Sequence, residues 1–256
     1  MTSDIITRLR TAGCVFAEEE VEIILGSAAT SDDLDAMVAR RAAGHPLEQV
    51  VGWAEFHGLR ILVDPGVFVP RRRTEFLVRQ ALAHAGPSRI VVDLCCGTGA
   101  LGAAIRAGLG GADVELYAAD VHPAAVRCAR RNLPGAQVFE GDLFDPLPAV
   151  LKGRVGILAA NVPYVPTGEM PLLPTEARDH EPHVTLDGGA DGLDVLRRVA
   201  EQAATWLAPG GILLFETTER QAAPAVQAVE DGGLAARVLS DEEWGATVVM
   251  GEAAAA

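Results

Sequence analysis

The sequence predicts an α/β fold, a parallel sheet covered by helices on both faces, preceded by a small helical domain. Three observations carry that expectation. From Arg89 onward, short apolar runs alternate with helical segments; the first 50 residues instead place apolar side chains at helical spacing; and a glycine-rich turn follows the first of the later runs. Strands that alternate with helices need crossover connections, and those connections bury a parallel sheet between helical layers.

Three helices are expected in residues 1–50. Their apolar faces are marked by Ile5, Leu9 and Ala12, by Val21, Ile24 and Leu25, and by Leu34, Met37 and Val38, with Arg41 in the same register. Thr30 or Ser31, ahead of Asp32 and Asp33, reads as a helix start: a side-chain oxygen can accept a free N–H there, and the acids complement the helix dipole. Gly26 and Gly44 are expected to end helices. Residues 51–75 read as a hairpin linker, with Trp53, Phe56, Leu59, Ile61 and Val63 around a His57-Gly58 turn. Residues 76–256 form the main domain. Strands are expected at 90–94, 114–119, 137–140, 155–160 and 211–215, and helices at 100–107, 124–132 and 193–206. Segments 235–239 and 246–250 suit a closing antiparallel pair.

Composition narrows the function. The 256 residues carry 21 Lys and Arg against 35 Asp and Glu, a net charge of −14. Binding nucleic-acid phosphates takes clustered basic residues, so direct nucleic-acid binding is not expected, although Arg71-Arg72-Arg73 is one local basic run. Cys14, Cys95, Cys96 and Cys128 form no CxxC pair, so no metal is expected. Nothing resembles a secretion signal, and no apolar run approaches the ~20 residues that span a membrane. A soluble cytoplasmic protein, with no membrane contact, is the expectation.

Three acidic positions end successive strands. Asp93-Leu94-Cys95-Cys96-Gly97-Thr98-Gly99 leaves the first strand and opens a helix, Asp120 ends the second, and Gly141-Asp142-Leu143-Phe144 ends the third. Glycines let a ligand approach the backbone, a strand-end acid can accept both ribose hydroxyls, and Asp142 could accept an adenine amine between apolar neighbours. Each also has an ordinary reading: a tight turn, a helix N-cap for the segment from Pro123, a loop Asp beside a core Phe. Together they suit an adenosine. Gly97 to Gly102 also fits Gly-x-Gly-x-x-Gly, so this loop does not separate a dinucleotide from S-adenosylmethionine. The fourth strand does. It runs into Asn161-Val162-Pro163-Tyr164, where the Asn oxygen and the next carbonyl can accept both hydrogens of a planar –NH₂ under an aromatic ring.

With these motifs the chain resembles the HemK/PrmC family of protein-(glutamine-N5) methyltransferases. The resemblance extends to Pro46–Gly52 with Phe56–Leu59, to Val63–Arg71 with Thr74-Glu75, and to Glu181-Pro182 with Gly188-Gly189-Ala190-Asp191-Gly192-Leu193. It implies a seven-stranded, Rossmann-like class I methyltransferase sheet over residues 76–256, with S-adenosyl-L-methionine as methyl donor. Residues 1–50 would then help hold a protein substrate. The acceptor implied is an exposed glutamine, that of the Gly-Gly-Gln of a peptide-chain release factor. Asn161, Val162, Pro163 and Tyr164 would be catalytic. Phe68, Arg71, Asp93, Cys95, Gly97, Thr98, Gly99, Asp120, Val121, Asp142, Leu143 and Asn161 would bind the cofactor, and Glu75 would anchor the linker. The chain departs from the family at Val162, where Pro is usual, and at Arg72 and Arg73, where a Pro and an acid are usual. It departs again at Cys95 and Cys96, which replace a Gly and a Thr, and at Thr217-Thr218, which replace a Gly-containing turn. Those departures keep two other readings open: an N-methyltransferase for an exocyclic base amine of RNA or DNA, and a catalytically silent cofactor-binding homologue.

Overall fold

A computed structural model describes residues 2–111 and 113–255. Helices α1 (Thr2–Thr11), α2 (Ala17–Ser27), α3 (Ser31–Ala42) and the short α4 (Leu47–Val51) come first. Leu9, Ala17, Val21, Ile24, Leu34 and Val38 fill a core of their own. Thr30 is the cap of α3, accepting the Asp33 N–H at 3.1 Å. Arg41 shares the buried face because its fork is bidentate to Glu20, at 2.6 and 2.9 Å. Gly26 does not end its helix, which runs on to Ser27.

A hairpin follows, β1 (Trp53–Phe56) against β2 (Leu59–Leu62). His57 and Gly58 both have positive φ, 50° and 73°, the geometry a two-residue hairpin turn needs to match strand twist. Phe56 and Ile61 anchor it in the main core.

The rest of the chain contains α5 (Glu75–Ala83), β3 (Ile90–Leu94), α6 (Ala100–Gly108), β4 (Glu115–Asp120), α7 (Pro123–Asn132), β5 (Gln137–Glu140) and β6 (Val155–Ala160). It continues through α8 (Thr175–His180), α9 (Asp194–Trp206), β7 (Leu207–Thr217), α10 (Glu219–Asp231), β8 (Ala235–Asp241) and β9 (Ala246–Glu252). The seven strands lie in the order β5-β4-β3-β6-β7-β9-β8. All neighbours are parallel except β7–β9 and β8–β9. Alternation splits the sheet's side chains between two cores. Val91, Leu116, Ala159 and Leu214 meet α5 and α6 on one face, while Val92, Leu158, Leu213 and Phe215 meet α9 and α10 on the other.

Two expectations change. The fifth strand, expected at 211–215, begins at Leu207 and ends at Thr217. Pro209-Gly210-Gly211 reads as a turn, but the strand passes through it with a register shift between Val155 and Ile157. Helices α5, α8 and α10 are additional to those expected. Among the described residues, no helix is long and apolar enough to cross a membrane.

Candidate active site

The order of the sheet reverses between β3 and β6, and ligands of open α/β sheets bind outside the strand ends at such a point. Leu94 pairs with Ala160, so the loops beginning at Cys95 and Asn161 leave the sheet side by side. Ala160 also pairs with Phe215, which sets Glu216 beside Asn161 from the other neighbour.

Two cavities meet there. The smaller, about 70 Å³, is lined by Phe68, Cys95, Gly97, Thr98, Asp120 and Val121 among others. The larger, about 640 Å³, is bounded by Val162, Tyr164, Arg71 and Arg73, with Leu172, Leu173 and Leu186 among its apolar walls. Asn161 lines both. Of the residues expected to act together, Pro163 faces the smaller cavity, and Asp93, Gly99, Asp142 and Leu143 line neither. Asp142 is instead paired with Arg198 at 2.6 Å on the surface.

The turn after β3 is shaped for close approach. Cys95, Gly97 and Gly99 all have positive φ, at 54°, 54° and 79°. For the glycines this is free; for Cys95 it is strained. Asp120 braces the turn: one oxygen accepts the Gly97 N–H at 2.9 Å and the other the His122 N–H at 2.8 Å. Burial raises the pKa of Asp120, and those two N–H groups oppose the rise. Beneath the turn, Asp93 is fully buried, with Oδ2 accepting the Gly102 N–H at 2.9 Å. Its Oδ1 has no partner among the described residues, and burial pushes the carboxyl up to about 8. A buried acceptor left open beneath a glycine turn suits a ligand that brings a donor, an ammonium above all. The donor set therefore fits an amino-acid-bearing nucleoside. The enclosed 70 Å³ is below the roughly 300 Å³ of small-molecule sites, and Phe68 and Thr185 line both cavities where they meet.

The loop after β6 is held by its surroundings. Val165 N–H donates to Leu186 O, Gly188 N–H to Val165 O, and Thr167 N–H to Gly189 O. A Cβ on Gly192 would lie 2.3 Å from the Tyr164 carbonyl oxygen, and one on Gly188 2.7 Å from that of Pro163. That contact explains the glycines of Gly188–Gly192: they let this segment lie flat on the loop. Gln221 of α10 donates to the carbonyls of Tyr164 at 2.8 Å and Asp191 at 2.9 Å, while the Thr218 hydroxyl orients it at 2.7 Å. The Tyr164 hydroxyl donates to Glu216 Oε1 at 2.9 Å and accepts from Arg73 Nη2 at 2.6 Å. Burial and the Glu216 charge raise the tyrosine pKa. Among the described residues none hydrogen-bonds the Asn161 side-chain amide, which leaves its oxygen and –NH₂ open at the junction.

The linker is fastened over both cavities by Glu181, whose side chain is fully buried. It accepts the Val69 N–H at 3.1 Å and pairs with Arg71 at 2.6 Å. Arg71 in turn lies 4.8 Å from the Phe68 ring centroid. No hydrogen bond or ion pair of the Glu75 side chain is present among the described residues, so the anchoring expected of it falls to Glu181. Two charges of the basic run are paired, Arg71 with Glu181 and Arg73 with Glu216, while Arg72 lies over Trp244. Sequence reasoning missed Glu181, Glu216 and Gln221 as parts of this site. Glu181-Pro182 was a signal for the first; Gln221 carried none.

Comparison with known proteins gives this geometry a family. The Methyltransferase small domain family matches residues 58–164. The release factor glutamine methyltransferase of Geobacter sulfurreducens is 40% identical over 184 residues, 70% of this chain and 63% of that protein. That of Streptomyces coelicolor is 37% identical over 74% of this chain and 70% of its own length. The 4-amino-L-phenylalanine/4-methylamino-L-phenylalanine methyltransferase of Streptomyces pristinaespiralis is 38% identical over 70% of this chain and 63% of its own. Among solved structures, a ribosomal protein L11 methylase from Lactobacillus delbrueckii subsp. bulgaricus aligns with a TM-score of 0.54 at 16% identity, covering 77% of this chain and 86% of that one. It shares the fold. A seven-stranded methyltransferase sheet carrying Asn-x-Pro-Tyr at its switch point, with relatives at this level of identity, makes the chain a member of the release factor glutamine methyltransferase family.

Proposed function

We propose that the protein transfers a methyl group from S-adenosyl-L-methionine to the side-chain amide nitrogen of a glutamine in a peptide-chain release factor. The observation that carries this reading is Asn161 at the junction of the two cavities, with its side-chain amide open. When bound, S-adenosylmethionine supplies a methyl already activated by its sulfonium. Phe68, Cys95, Gly97, Thr98, Asp120 and Val121 would hold it in the smaller cavity, and Asp93, outside that lining but with its Oδ1 open beneath the turn, would be the acceptor for its ammonium group.

A primary amide nitrogen is a poor nucleophile, so placement supplies most of what this chain contributes; orientation of this kind is worth roughly 7–11 kcal/mol. Asn161 Oδ1 and the Val162 carbonyl accept the two amide hydrogens and so fix the nitrogen's plane. The Tyr164 ring packs on its face, and the leucines of the larger cavity exclude water. Helices α1–α3 support the protein substrate from the side: Arg41 of α3 reaches Glu176, on the rim of the larger cavity, at 2.6 Å. A release factor as partner places the reaction in the cytoplasm.

Mass spectrometry of an intact release factor incubated with the enzyme and S-adenosylmethionine tests this. One methyl on a glutamine supports it. A second reading, a free aromatic amine as acceptor, is favoured by the size of the larger cavity, about 640 Å³ and within the range of small-molecule sites, and by the Streptomyces pristinaespiralis relative. Methylation of 4-amino-L-phenylalanine in the same assay, with the release factor untouched, would establish that reading instead.

A further inference from the structure

We propose that Arg73 is a positioning residue that restores to the acceptor loop the rigidity removed by Val162. The proposal rests on the assignment of Tyr164 to the acceptor's face. Pro at position 162 would fix φ and limit the loop's freedom; Val does not. No loop hydrogen bond from the Val162 N–H replaces that restraint among the described residues.

A different restraint is present two residues on. Arg73 donates from Nε to Glu216 Oε1 at 2.9 Å and from Nη2 to the Tyr164 hydroxyl at 2.6 Å. The same Glu216 oxygen accepts from Tyr164 at 2.9 Å. Three groups thus close a triangle, and the Tyr164 ring is tied at its tip while Gln221 holds its carbonyl. A planar fork can reach both partners at once, which one rigid guanidinium does and a carboxylate at position 73 would not. A carboxylate there would repel Glu216. Glu216 is itself 2% exposed, with its Oε2 lacking a hydrogen bond among the described residues, and Arg73 is the cation paired with it at 2.9 Å. Burial works against the Arg73 charge, but Tyr164 and Glu216 more than offset it, and its pKa lies above the usual guanidinium value. Position 162 and position 73 therefore form a pair: the loop is restrained either through its backbone or through the tip of its tyrosine.

A double-mutant cycle between Arg73→Met and Val162→Pro tests this. Arg73→Met/Glu216→Gln serves as a second starting variant, because it leaves no buried charge unpaired. The first readout is amide hydrogen exchange at Val165 and Thr167, which needs no acceptor and so stands or falls separately from the assignment of the release factor. Arg73→Met is expected to speed exchange at both amides, and adding Val162→Pro to slow it again. The second readout is kcat/KM for an intact release factor, alongside S-adenosylhomocysteine affinity. Arg73→Met should lower kcat/KM roughly tenfold alone and about threefold or less beside Val162→Pro, since coupled positions are non-additive, with S-adenosylhomocysteine affinity unchanged. Equal loss in both backgrounds, or exchange unmoved by Arg73→Met and by Arg73→Met/Glu216→Gln, would overturn the proposal.

Discussion

The Gln221 side chain donates to the Tyr164 carbonyl at 2.8 Å, joining the start of α10 to the last residue of the acceptor loop. Its second N–H goes to Asp191 O at 2.9 Å, so one side chain ties two loops that backbone bonds alone join less directly. Gln221→Ala removes both part-buried bonds at once. A loss of stability of about 1–3 kcal/mol is expected. The loss of transfer should exceed what that destabilisation explains, with S-adenosylhomocysteine affinity retained. Chemical denaturation and acceptor kinetics on one preparation measure both effects; unchanged kinetics in a destabilised variant would make Gln221 a structural brace only.

Asn161→Ala separates placement of the acceptor from binding of the cofactor. The open side chain lines both cavities, but its two hydrogen-bonding groups have no partner to lose among the described residues. Transfer should fall by at least roughly a hundredfold, as a misplaced nucleophile implies, while S-adenosylhomocysteine binds within about tenfold of wild type. Calorimetry beside a mass-spectrometric rate settles the two halves. A variant that stops binding the cofactor analogue would move Asn161 from the acceptor to the donor.

Asp93 gives the fold a pH dependence. Its folded pKa of about 8 lies above the ordinary carboxyl value of 3.8, so folding takes up a proton between those limits. The ligand-free protein should therefore lose stability as pH rises from about 4 to about 8, by at most roughly 1.4 kcal/mol per pH unit from this group, and level off beyond. Asp93→Asn should flatten that slope. An ammonium-bearing ligand reverses the preference, because it needs the carboxylate. Binding of S-adenosylhomocysteine below pH 8 should then release a proton, visible as a dependence of the heat on the buffer's ionisation enthalpy. Heats that do not vary with buffer would mean that the amino group does not meet Asp93.

How much of this was legible follows from what sequence patterns encode. The strands β3, β4 and β6 are largely apolar runs buried on both faces, β5 is a short edge strand with polar ends, and each lies within a residue of its expected bounds. The helix α10 was not foreseen, since Pro224 interrupts it and a proline inside a helix argues against one. Loop motifs at strand ends were visible because glycine and proline mark backbone geometry directly. The Arg73–Tyr164–Glu216 triangle was not: its members lie 91 and 143 residues from Arg73 and meet only because the linker folds back over the carboxyl ends of β6 and β7. The basic run around Arg73 suggested free charge, whereas the fold supplies a carboxylate to Arg71 and to Arg73.

Cys95 tests whether the strained turn serves the cofactor end. Its φ of 54° lies in the left-handed region, where a non-glycine residue costs roughly 1–2 kcal/mol. Cys95→Gly removes that strain but loses the packing of the side chain and adds about 0.5–1 kcal/mol of unfolded-state freedom, so stability should change little. Cys95→Val keeps comparable packing yet places a β-branched side chain at the same φ, which is more strained still. The expected order of stability is Gly about equal to Cys, and both above Val. Because the Cys95 side chain lines the smaller cavity, the glycine variant should also bind S-adenosylhomocysteine at least as tightly as wild type, and the valine variant less tightly. Thermal denaturation and calorimetry of the three proteins give both orders. If valine matched glycine in each, the positive φ would not be a constraint on this position, and the turn's shape would rest on Gly97, Gly99 and the Asp120 brace alone.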